Sequence, residues 1–191
     1  MIAAADAFEP LRSALERAGI RFAVGGSWAS AAFGEPRFTN AVDILVEFTA
    51  HNLELFLSEL PETFYTDAWE AREALRRGRP FNVIYMPAPF KFDFFPADAF
   101  LLGAQELDRA IVLDSGLSNR PAPFVTPEDI LLSKLHWYKA GGEVSEVQWR
   151  DIEGIVRARG TRLDRTYLGR GAADLGVSDL LKRALPDIQN S

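Results

Sequence analysis

Apolar residues recur at Leu11, Ala14, Leu15 and Ala18, the spacing of one buried helix face, with Pro10 suited to its first turn and Gly19 just past its end. Residues 20–24 (Ile-Arg-Phe-Ala-Val) then form a strand-like run into Gly25-Gly26. Ser27 suits an N-cap, opening a short helix over 28–33 that Gly34 closes. Val42-Asp43-Ile44-Leu45-Val46-Glu47-Phe48 is apolar and β-branched, the pattern of a buried strand. Leu53, Phe56, Leu57 and Leu60 predict a helix over 51–60, ended by Pro61. A short strand at 64–66, a helix over 68–77 stopped by Gly78, and strands at 81–85 and 91–95 follow. The turn Met86-Pro87-Ala88-Pro89 makes those last two strands an antiparallel hairpin. In the second of them Phe92 and Phe94 alternate with Lys91, Asp93 and Phe95, so Asp93 faces away from Phe92 and Phe94.

A helix near 98–107 and a strand near 110–113 complete a mixed portion, and the Pro-rich stretch 118–123 reads as a boundary. Beyond it the pattern is helical. Thr126-Pro127-Glu128-Asp129 combines an N-cap threonine, a proline at the first helical position and acids in the first turn. Further helices are expected over 144–159, 163–175 and 178–185. The fold expected is α/β (α+β): a mixed β-sheet flanked by helices over residues 1–120, with a C-terminal helical bundle over 121–191 packed on it.

Composition narrows the function. Of 191 residues, 48% are hydrophobic and 25% charged, as in a soluble globular protein and unlike a disordered one. No apolar run approaches the roughly 20 residues that span a bilayer, and Met1-Ile2-Ala3-Ala4-Ala5-Asp6 lacks the basic start of a signal peptide. The chain has no cysteine, which suits a reducing cytoplasm and excludes thiolate metal sites. A net charge of −6 argues against a general phosphate-backbone binder. His51 and His136 are too scattered for a histidine zinc site, so a bound metal would take oxygen ligands, which favours magnesium.

Candidate chemistry lies at four places. Gly25-Gly26-Ser27 joins a strand to a helix, where backbone N–H groups can hold an anion, although such a turn is more often only a turn. Arg37-Phe38-Thr39-Asn40-Ala41-Val42-Asp43 leads an aspartate into an apolar strand, either to bind a cation or to cap nearby amides. Asp93, among phenylalanines, needs a cation or an ion pair with Lys91, Arg37 or another basic residue. A neighbouring strand could bring it beside Asp43 to share a metal. Lys134 and Tyr138 can share one helix face, and Gln148-Trp149-Arg150-Asp151 sits on the next helix. Taken singly, each of these is more often an ordinary helix face.

Taken in order, Gly25-Gly26-Ser27, Arg37-x-Thr39, Asp43 and Asp93 resemble the nucleotidyltransferase superfamily, with its minimal DNA polymerase-β-like fold. Thr126-Pro127-Glu128-Asp129-Ile130-Leu131-Leu132-Ser133-Lys134-Leu135 and Gln148-Trp149-Arg150-Asp151 are similar to the AbiEii/MenA-type toxin nucleotidyltransferases. The resemblance implies a transferase that moves a nucleoside monophosphate from a nucleoside triphosphate to an acceptor hydroxyl. It implies two Mg2+ ions held by acids at position 41, Asp43 and Asp93, as metal-site and catalytic residues. It further implies nucleotide binding by Gly25, Gly26, Ser27, Arg37 and Thr39, with Lys134 and Asp151 holding the nucleotide or ordering the site. A toxin-like enzyme would act on tRNA or other RNA and have an antitoxin protein as partner.

One position departs from the pattern. The family has Asp-x-Asp where this chain has Ala41-Val42-Asp43. Positions 41 and 43 share a strand face, and alanine supplies no ligand, so little or no transfer is expected from the chain as written. A single missing acid in an otherwise filled pattern looks more like a deliberate inactivating substitution than gradual decay. The alternative is that alanine is native, in a non-catalytic nucleotide- or protein-binding module on the same fold. Arg150, Arg157, Arg159, Arg162, Arg165 and Arg170 could form an RNA face, or pair with Asp151, Glu153, Asp164 and Asp174 as surface helices. A small-molecule acceptor would suit the acidic chain if it were cationic. Trp69, Trp137 and Trp149 fit either a core or an interface.

Overall fold

Two strands with alternating burial organise the first half of the chain. In a computed structural model describing residues 4–35, 39–88 and 90–186, β2 (Ala41–Val46) and β5 (Phe90–Pro96) run parallel and in register. Phe92, Phe94, Val42 and Ile44 are fully buried on one face, while Ala41, Asp43 and Asp93 lie half-buried on the other. The described residues divide into two compact units, residues 4–25 with 39–125 and residues 26–35 with 126–186.

The first unit is a seven-stranded mixed sheet with helices, the α/β architecture expected. Around β2 and β5 it has α1 (Ala4–Arg17), β1 (Phe22–Val24), α3 (Ala50–Glu59), β3 (Phe64–Tyr65), α4 (Ala68–Arg76), β4 (Phe81–Tyr85), α5 (Gly103–Arg109), β6 (Ile111–Leu113) and β7 (Ala122–Phe124). The strand order is β3-β4-β5-β2-β1-β7-β6. β4 and β5 form the antiparallel hairpin, and β1 lies antiparallel to β2. The aromatic face is covered by helices: Phe8 of α1 meets Phe92 at 6.3 Å between ring centroids, and Phe56 of α3 meets Phe94 at 5.4 Å. Phe48 and Phe81 close the cluster against Phe94. The opposite face carries Asp43 and Asp93 at its middle, with Ala41 and Lys91 on one side of them and the buried Leu45 beside Phe95 on the other.

The second unit is helical: α2 (Gly26–Phe33), α6 (Pro127–Ala140), α7 (Glu146–Arg159), α8 (Arg165–Asp174) and α9 (Ser178–Ala184). Thr126 caps α6, accepting from the Asp129 amide, and Ser145 caps α7 in the same way. Gly34 permits the close packing of α2 on α7, since a Cβ there would lie 2.9 Å from the Gly154 carbonyl carbon.

Four local expectations differ. Pro10 lies inside α1 rather than at its start, because Ala5, Ala7 and Phe8 continue the buried face upstream and tertiary packing outweighs the amide that proline lacks. The α2 helix begins at Gly26, so Ser27 sits within its first turn rather than before it; Gly26 takes φ +53°, a conformation glycine tolerates. The helix expected near 98–107 is broken into a 3₁₀ turn, Ala97–Ala99, and α5. Phe100 is extended between them, and Gly103 packs so close to the Ala97 carbonyl that a Cβ would lie 2.2 Å from its oxygen. Finally, the Pro-rich stretch taken as a boundary contains β7, which pairs with both β1 and β6.

Candidate active site

The β2–β5 register sets Asp43 directly opposite Asp93, and Ala41 opposite Lys91. Opposed residues on neighbouring strands point to the same face with side chains within about 5 Å at Cβ, so the two carboxylates are neighbours on the face away from the phenylalanines. Asn82 of β4 lies opposite Asp93 on its other side. Beyond Asp43 the row continues to Gly25, whose N–H donates to the Asp43 carbonyl at 2.9 Å. That amide is therefore spent on holding β1 to β2. The next row holds Ile84, Lys91 and Ala41.

Asp93 already has a cation. Lys91 Nζ stands 2.9 Å from its Oδ2, with Asp93 21% and Lys91 48% exposed. Of the two possibilities open for a carboxylate in this setting, the ion pair with Lys91 is present. Thr39, before β2, donates its hydroxyl to the Ala41 carbonyl at 3.1 Å and accepts from the Ala41 amide at 3.2 Å. It thereby fixes the chain entering the strand. Arg37 lies outside the described residues.

In the helical unit Gly26 and Ser27 form the first turn of α2, where amides without intrahelical acceptors are found. The Ser27 carbonyl accepts from Ser30 Oγ at 3.1 Å. Lys134 of α6 and Asp151 of α7 meet at 2.7 Å with side chains 10% and 8% exposed. This pair brings together residues 17 positions apart. The acid face and the Lys134–Asp151 pair belong to different units.

Sequence reasoning missed the second role of the Thr126-Pro127-Glu128-Asp129 segment. Asp129, fully buried, accepts hydrogen bonds from the Thr126 hydroxyl and the Tyr167 hydroxyl. Glu128 accepts from the Asp164 amide at 2.9 Å at the start of α8. These acids, read as helix-start residues, also tie α6 to α8. Nothing local in the sequence pairs Asp129 with Tyr167, 38 positions away. Of the arginines considered for an RNA face, Arg157 pairs with Glu35, while Arg159 donates to the Phe33 carbonyl and lies over the Phe33 ring. Trp69 is 70% exposed and Trp137 43%, whereas Trp149 stacks under the Arg183 guanidinium at 4.0 Å.

The donor set fits one magnesium ion better than two. Magnesium is often held by one or two carboxylates, with waters and substrate phosphates completing an octahedron, and Asp43 with Asp93 supplies that pair. A second ion would need a further acid, and position 41 carries a methyl group. Among the described residues there is no group of three or more His, Cys, Asp or Glu able to hold a metal. No helix among them is long and apolar enough to cross a membrane.

No protein-family model matches the chain, and no curated protein matches it in sequence. Solved structures do. The solution structure of the antibiotic-resistance factor ANT(2'')-Ia is 16% identical, over 94% of this chain and 92% of that one, with a TM-score of 0.51. ANT(2'')-Ia in complex with adenylyl-2''-tobramycin is 18% identical over 89% and 95%, with a TM-score of 0.50. An antigenic nucleotidyltransferase-like protein from Paracoccidioides brasiliensis is 16% identical over 94% and 91%, with a TM-score of 0.55. The chain has the fold of these nucleotidyltransferases.

Proposed function

We propose that this chain is a nucleotidyltransferase by descent that binds a nucleoside triphosphate with magnesium and is impaired in transfer by Ala41. The observation that carries the reading is the register that sets Asp43 beside Asp93, with position 41 on the same face. In the reaction so assigned, the acceptor hydroxyl oxygen attacks the α-phosphorus, the α–β anhydride bond breaks, and pyrophosphate leaves with the bonding electrons. The hydroxyl proton passes to a carboxylate or to solvent. Asp43 and Asp93 would hold the magnesium ion, which supplies charge stabilisation at the phosphates. Gly26 and Ser27 are assigned to phosphate by the sequence resemblance alone. Thr39 acts by holding the entry to β2, and Arg37 is assigned to the nucleotide by the sequence resemblance alone. Lys134 and Asp151, paired at 2.7 Å, are assigned to ordering α6 against α7 rather than to the chemistry.

The experiment is Ala41→Asp. Restoring a third carboxylate on the face is expected to yield metal-dependent pyrophosphate release with one of the four nucleoside triphosphates and a set of RNA and small-molecule acceptors. Absence of release with all of them would sink the enzyme reading.

For the acceptor, a cationic small molecule is favoured over tRNA or other RNA. The net charge of −6 opposes a polyanion, and two of the six arginines considered for an RNA face, Arg157 and Arg159, are engaged with Glu35 and Phe33. The toxin role, with an antitoxin partner, rests only on the likeness of the α6 and α7 segments. A second reading, a binding module without catalysis, is favoured by the Lys91–Asp93 pair: nucleotide binding by the unaltered chain with no product from Ala41→Asp would support it.

A further inference from the structure

The acid face carries a cation of its own, and that has a consequence for any metal that approaches it. Lys91 and Asp93 are two residues apart on β5 and so project to one face. The lysine stem spans that step to bring Nζ to 2.9 Å from Asp93 Oδ2. Across the strand from Lys91 stands Ala41, whose methyl offers the ammonium no acceptor. In this chain, then, the lysine's partner on the face is the very carboxylate that a metal would need.

We propose that Lys91 is a tethered counter-ion that competes with divalent cations for the Asp43–Asp93 face. The ammonium neutralises part of the charge of the carboxylate pair, so a metal must displace it or bind beside it. Two independent features then weaken metal binding: the ligand missing at position 41 and the resident lysine at position 91. A monovalent cation facing a divalent one at about 5 Å, under the screening of a half-exposed site, corresponds to roughly tenfold in affinity. Because Lys91 is 48% exposed, its side chain has room to swing into solvent when a stronger cation arrives. The pair is therefore an exchangeable occupant and not a structural clamp, in contrast to the buried Lys134–Asp151 pair.

The inference rests on the assignment of this face as a cation site. Its test uses Mn2+ alone, without nucleotide, and the full chain. Free Mn2+ is followed by electron paramagnetic resonance on the unaltered protein, Lys91→Met, Lys91→Arg and Lys91→Met/Asp93→Asn, with circular dichroism melting to establish that each is folded. Lys91→Met is expected to bind Mn2+ about tenfold more tightly than the unaltered chain. Lys91→Arg, which keeps the charge, is expected to stay near the unaltered value, and Asp93→Asn is expected to abolish the gain. Lys91→Met binding no more tightly, Lys91→Arg gaining as much as Lys91→Met, or the gain surviving Asp93→Asn would each overturn the proposal. Failure here leaves pyrophosphate release by Ala41→Asp untouched. Failure of that release, with the Mn2+ gain intact, removes the enzyme reading and leaves the lysine competition standing.

Discussion

Replacing Lys134 by methionine tests how much of the helical unit depends on one buried charge pair. Lys134 and Asp151 meet at 2.7 Å, almost wholly shielded from water. At an effective dielectric of about 20 their attraction is about 6 kcal/mol, which offsets the cost of dehydrating both ions. Methionine keeps the volume of the lysine stem but strips Asp151 of that partner, and removing one member of such a pair typically costs about 3–5 kcal/mol. A loss at the lower end of that range, about 3 kcal/mol, is expected. For a chain of 191 residues this is a fall in Tm of about 6–12 °C. The double variant Lys134→Met/Asp151→Leu removes both ions and is expected to recover to within about 1 kcal/mol of the unaltered chain. Urea unfolding followed by tryptophan fluorescence reads this directly, since Trp137 and Trp149 sit on the two helices concerned. A single-variant loss under about 1 kcal/mol, or a double variant no better than the single, would refute the reasoning. Nucleotide binding that returns with the stability of the double variant marks the pair as structural; binding lost while stability returns makes it a nucleotide contact.

Gly34→Ala should destabilise the helical unit by about 1–3 kcal/mol, because its methyl would be driven into the backbone at Gly154 and Ile155; thermal melting checks it. Acid should destabilise the first unit through Glu9 and Glu16. Burial pushes each carboxyl up, but hydrogen bonds outweigh it: Ser118 and Asn119 act on Glu9, Arg120 and Arg12 act on Glu16, and the Arg12 and Arg120 charges act on both. Both acids thus ionise below their ordinary 4.5. A lowered folded pKa means the contribution is whole above 4.5 and lost as pH falls through the folded values. Melting between pH 6 and 3 should show Glu9→Gln/Glu16→Gln losing less stability than the unaltered chain over that window; an equal loss would refute it.

The alternation of Phe92, Asp93 and Phe94 was enough to place Asp93 on the face away from the core, and Thr126-Pro127 was enough to start α6 within a residue. Long-range choices were not legible. The sequence offered Asp93 a metal or a lysine, and only the folded strand shows Lys91 reaching it. The two prolines at 121 and 123 argued for a linker, yet Pro123 sits opposite Val112 in a ladder because burial of Ala122 and Phe124 outweighs the missing amides. Asp129 bound to Tyr167 joins segments whose meeting depends on how α6 and α8 pack, which no local pattern encodes. Ser27 was displaced from its expected cap by a glycine that can turn the chain one step earlier.

The acid face owes its geometry to the aromatic face behind it. A slip of one residue between β2 and β5 would turn the slipped strand over, burying Asp93 and exposing Phe92 and Phe94, or burying Asp43 and exposing Ile44. Each fully buried phenylalanine is worth about 1.5–3 kcal/mol in place, and both pack against helices, through Phe8 and Phe56. The register that sets Asp43 beside Asp93 is thus paid for by hydrophobic burial, not by any attraction between the acids, which repel. That is why a substitution at position 41 or 91 can alter the charge of the face without unseating the strands. It also explains why a chain with alanine at 41 keeps the remaining carboxylates side by side.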